Sequence, residues 1–103
     1  MTKHNSKHLS IYNIENYLSQ INKNTPKDTR VKFLMRAARV YYKTGSMKHM
    51  RSALNLFEGA YNLVCEMRGT NDPKSYIIAI MMDKCSSNIE RLKNLAKERK
   101  HSK

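Results

Sequence analysis

A chain of 103 residues bounds the fold to one domain with a modest core, near the size at which stability becomes marginal. Twenty Lys and Arg stand against eight Asp and Glu, a net charge of +12, which points to an acidic partner rather than to a Lys-rich surface that only confers solubility. No apolar stretch suits a signal sequence or a membrane span, and three glycines, none in a phosphate-cradling loop, exclude a nucleotide-binding motif.

Trp is absent and Phe occurs twice, so seven Met and six Tyr, with Leu, Ile and Ala, must fill the interior. Methionine is flexible, and an adaptable core follows. Cys65 and Cys85 lack a CxxC pairing, so they read as free core thiols of an intracellular, reducing compartment.

Strand signals are poor and helical ones good. Ile11, Ile14, Leu18 and Ile21 recur at helical spacing and predict a first, shorter helix over about residues 10–22. A second helix is expected from Thr25 as cap and Pro26 as first helical residue, with Asp28 in the positively polarised first turn. Val31, Leu34, Ala38 and Tyr41 make its inner stripe, and Gly45 supplies the left-handed terminator. Ser46 follows as the next cap. So short a connection forces an antiparallel hairpin with a third helix, whose seam is Met50, Leu54, Phe57, Tyr61 and Val64 and whose end is Gly69. Asp72-Pro73 repeats the cap-and-proline start. The fourth helix then carries Ile78, Met82, Cys85, Ile89, Leu92 and Ala96 on one face.

The fold expected is all-α: an antiparallel up-and-down bundle of three long helices plus a shorter N-terminal one. It forms a single domain over residues 1–103, with frayed basic tails at 1–9 and 98–103.

No catalytic constellation emerges, and no enzyme is expected. Of His4, His8, His49 and His101, three sit near the termini, and His4 and His8 could share a helical face, but no carboxylate or cysteine nearby completes a metal set with them, so no cofactor is expected either. Ser86 and Ser87 have no partnered His in sequence reach. The strongest functional signal is a basic row. Lys32, Arg36, Arg39 and Lys43 fall within about 60° around one helix axis. Four cations in a row repel one another unless an anion faces them. Arg30 extends the row toward its N-terminal end, and Lys48 and Arg51 begin the facing helix nearby. Such a row suits a phosphate backbone or a string of carboxylates.

Tyr41, Gly45, Ala53, Phe57 and Ala60 resemble the small-and-aromatic pattern of a tetratricopeptide hairpin, with about three extra residues between Gly45 and Ala53 and no second repeat. A lone hairpin followed by one long helix is more similar to the microtubule-interacting and trafficking (MIT) domain. The stretch from Asp83 to Lys93 resembles the third helix of that module. The resemblance covers roughly residues 30–98 and implies a module that receives a partner's helix in an interhelical groove.

Two functions follow, the first ranked ahead of the second. One is a nucleic-acid accessory protein contacting phosphates, of DNA or RNA, with weak sequence preference. The other is a protein-interaction module receiving an acidic amphipathic helix. Neither involves a small-molecule substrate. Homodimerisation through Ile77, Ile80 and Met81, which widen the apolar face of the fourth helix, is a third possibility.

Overall fold

A computed structural model describes residues 9–101 of the chain. The expected basic tail at residues 1–9 lies outside the described residues apart from Leu9, which is half-buried. The described residues form four helices and no strand: α1 (Ile14–Leu18), α2 (Lys27–Thr44), α3 (Met47–Arg68) and α4 (Pro73–His101). Packing is sequential, α1 on α2, α2 on α3 and α3 on α4, so the three long helices alternate in direction.

Local chemistry sets the boundaries. Gly45 adopts φ 77°, the left-handed conformation that closes α2 at little cost to a residue without Cβ. Ser46 Oγ accepts the His49 N–H at 3.2 Å and caps α3 directly afterwards. Gly69 ends α3 with its N–H on the Cys65 carbonyl. Asp72 Oδ1 then accepts the Lys74 N–H at 2.8 Å, capping α4 ahead of Pro73.

Three expectations fail at helix ends. Thr25 does not cap α2: its Oγ1 accepts the Asn22 N–H at 3.0 Å inside the preceding loop. Pro26 consequently sits one position before the helix, extended at ψ 148°. The first helix is five residues rather than the span 10–22, because the flanking residues fold into turns over 11–13 and 19–20. At the other end α4 is helical through His101, and residues 102–103 of the expected basic tail lie outside the described residues.

The core runs from Val31, Met35 and Ala38 of α2 through Met50, Ala53, Phe57, Ala60 and Val64 of α3 to Ile78, Cys85 and Ile89 of α4. Leu34 of α2 packs over Gly59 of α3, where a Cβ would meet Leu34 Cδ1 at 3.5 Å, an ordinary van der Waals contact. Ser75 is the one polar residue fully buried among those described. It is satisfied by donating to the Gly69 carbonyl at 2.9 Å and accepting from Cys65 Sγ at 3.8 Å. Both cysteines are free, Cys85 buried and Cys65 only partly so.

The segment before α2 forms a strap over the hairpin. Ile14 is buried, as is Ala37 on the flank of α2, and neither belongs to the main core. Tyr17 stacks on Phe33 with ring centroids 4.5 Å apart.

Candidate partner-binding groove

On α2, Leu34 points at α3, and the basic row lies roughly opposite it around the helix axis. Lys32, Arg39 and Lys43 are exposed there, and Arg36 is half-buried. The Arg36 guanidinium sits 5.5 Å from the Tyr17 ring centroid, so the strap flanks the row on one side.

A cleft flanks it on the other. Val31 and Met35 form the floor of a hollow of about 260 Å³, walled by Lys32, Arg36 and Arg39 of α2 and by Lys74 from the first turn of α4. A second hollow adjoins it, sharing Val31, Lys32 and Lys74 and reaching Val64, Met67 and Arg68 at the end of α3. Together they make a groove along the N-terminal half of α2, bordered from α4 by Lys74 and from the end of α3 by Val64, Met67 and Arg68. Near its far end α2 and α4 meet, where Asn88 Nδ2 donates to the Tyr42 hydroxyl at 3.4 Å.

Two of the three residues expected near the row, Arg30 and Lys48, take other places. Arg30 belongs to another side of α2, where Nε donates to the Thr25 carbonyl at 3.1 Å and an η nitrogen to that of Lys23 at 3.2 Å. It clamps the loop rather than extending the row. Lys48 borders a hollow with Tyr12, Glu15 and His49 on the strap side, away from the groove. Arg51 is exposed on α3.

Sequence reasoning missed Met35, Asp28, Lys74, Met67 and Arg68 as members of the groove. Met35 lies one turn after Val31, a spacing that was readable, and Asp28 lies one turn before Lys32 and bounds the row with an acid. Lys74 and Met67 reach the groove only through the packing of α3 and α4, for which no local pattern exists.

Two exposed ion pairs brace the same end of the bundle, Lys27 with Glu66 at 3.0 Å and Arg68 with Asp72 at 4.0 Å. Exposed pairs contribute little to stability, and neither involves the row. Among the described residues no cluster of His, Cys, Asp or Glu is arranged to hold a metal ion, and no helix is long and apolar enough to cross a membrane. Compared with protein-family models, curated proteins and solved structures, the chain matches none.

Proposed function

We propose that this protein is a non-enzymatic interaction module whose groove along α2 receives an acidic amphipathic helix of a partner protein. The observation that carries the reading is the joining of two chemistries in one cleft. Cations of Lys32, Arg36, Arg39 and Lys74 border a floor of Val31 and Met35. A partner helix with apolar residues at every third and fourth position fills such a floor, while carboxylates beside that stripe meet the rim. A phosphate backbone would use the rim and leave the apolar floor idle. The resemblance to MIT modules, which also receive a helix between helices, agrees with this choice. The partly exposed Cys65 and buried Cys85, both free, favour a reducing, intracellular setting. Burial pushes the Cys85 thiol above its ordinary 9.0, which argues against a nucleophile there.

The nucleic-acid reading keeps one observation in its favour: Lys32, Arg39 and Lys43 form an exposed row in a chain of net charge +12. One titration separates the two. A labelled model peptide, helical with a Leu stripe flanked by Glu, is compared with single-stranded RNA and duplex DNA over a range of salt. Peptide binding that weakens on the order of tenfold or more in Arg39→Glu supports the groove. Peptide affinity unchanged by that reversal overturns it. Nucleic-acid binding with a salt slope that shrinks in the same variant, without peptide binding, assigns the row to phosphates instead.

A further inference from the structure

A separate pair of hollows lies between the strap and the hairpin, on the side away from the groove. The first, about 250 Å³, is bordered by Glu15 of α1, Tyr41 of α2 and Lys48, His49 and Ser52 of α3. The second, about 220 Å³, is bordered by Leu18 of α1 and by Asn55 and Leu56 of α3. Tyr41 and Ser52 line both, so the two adjoin. One hollow thus carries charged groups and the other aliphatic side chains. Each is smaller than the roughly 300–1,000 Å³ typical of sites for drug-sized ligands, which restricts an occupant to a small molecule.

The charged hollow holds both signs. Among the described residues neither the Glu15 carboxylate nor the Lys48 ammonium has an ion-pair partner, and they do not pair with each other. A ligand that is only an anion or only a cation would answer one of them and be opposed by the other. A zwitterion answers both. His49 adds a third polar group of defined direction. The Thr44 hydroxyl gives its one hydrogen to the Tyr41 carbonyl at 2.9 Å, so it can only accept from His49 Nδ1 at 3.0 Å. The neutral ring therefore carries its hydrogen on Nδ1, and Nε2 is left as an acceptor for the hollow. The Tyr41 ring, 5.4 Å away between centroids, packs against the imidazole and helps hold it there.

We propose that these hollows bind a free apolar α-amino acid of the size of leucine. Its ammonium group lies between Glu15 and His49 Nε2, its carboxylate on Lys48 and its side chain against Leu18 and Leu56. The full chain is titrated with L-leucine near neutral pH and followed by its backbone amide resonances. Saturable shifts are expected in both segments that line the hollows, residues 11–18 and 48–56. N-acetyl-leucine lacks the cation and leucinamide the anion. Since Glu15 and Lys48 are exposed, loss of either contact should weaken binding by about fivefold at most. Glu15→Gln should weaken leucine by that factor and leave N-acetyl-leucine unchanged. Lys48→Gln should weaken leucine likewise and leave leucinamide unchanged. Both positions are on the surface, and an unchanged circular dichroism spectrum checks that each variant folds. Absence of saturable shifts with leucine overturns the proposal, as does leucine binding that neither variant alters. N-acetyl-leucine binding more tightly than leucine would also overturn it, because the hollow would then select a plain carboxylate.

Discussion

Cys85 illustrates how much of this molecule is decided at a single position. It sits on the α4 stripe that periodicity assigns to the core, and it is fully buried there. Burial alone raises its pKa above 9.0. Its proton is thus held more tightly in the folded than in the unfolded chain. The thiol's contribution to stability is complete below the unfolded thiol range, and it declines as pH climbs through that range toward the folded pKa. Chemical denaturation midpoints of the wild type should fall between pH 8 and pH 10, and Cys85→Ala should fall less steeply over the same interval. Equal slopes would remove Cys85 as the cause. Tyr61 is also held above its ordinary 10.0, first by hydrogen bonding to Cys65 and then by charge and burial, so the alanine comparison isolates the thiol. The burial of Cys85 was legible from spacing alone. The half-exposed position of Cys65 was not, because it depends on Ser75 of the next helix.

Among the elements, α1 departs furthest from its periodicity. Five residues are too few to be helical on their own, and what holds them is docking of Ile14 and Tyr17 onto the hairpin. The apolar spacing of Ile11, Ile14, Leu18 and Ile21 announced an amphipathic segment correctly, yet a strap laid across the α2–α3 hairpin bends where a free helix would not. Its ends are fixed by turns, with Asn13 Oδ1 accepting the Ser10 N–H at 2.9 Å and Ser19 Oγ donating to the Asn16 carbonyl at 2.7 Å. Thr25 failed as a cap for a related reason, since its hydroxyl had a nearer use within the loop. Ile14→Ser should therefore release the strap while sparing the hairpin. By hydrogen exchange, protection over residues 14–21 should be lost, with protection in α3 and in α4 through Ile89 retained. Loss of α3 protection would mean that the strap and the core form one cooperative unit.

For the molecule as a whole, charge and packing pull against each other. Twenty cations and eight anions on so small a body repel in the compact state, and among the described residues the Lys27–Glu66 and Arg68–Asp72 pairs offset only part of that. Moderate salt should raise the melting temperature, because screening weakens repulsion between exposed groups while leaving apolar packing intact. A melting temperature independent of sodium chloride between low and physiological concentrations would show that the repulsion is already relieved internally. The helical class, the hairpin at Gly45-Ser46 and the basic row were all readable in one dimension, since each is written in spacings of three, four or a single residue. The groove was not. It exists because α3 carries α4 back beside α2 and brings Lys74 within reach of Lys32, a neighbourhood created by tertiary packing.

Arg36 belongs to two surfaces at once: its head lies over the Tyr17 ring, and its side chain also walls the hollow on the opposite flank. An occupant that draws the guanidinium toward the cleft changes the seat on which the N-terminal segment rests. The two events then share a coupling free energy, and by reciprocity whatever loosens residues 14–21 alters affinity at the cleft by the same factor.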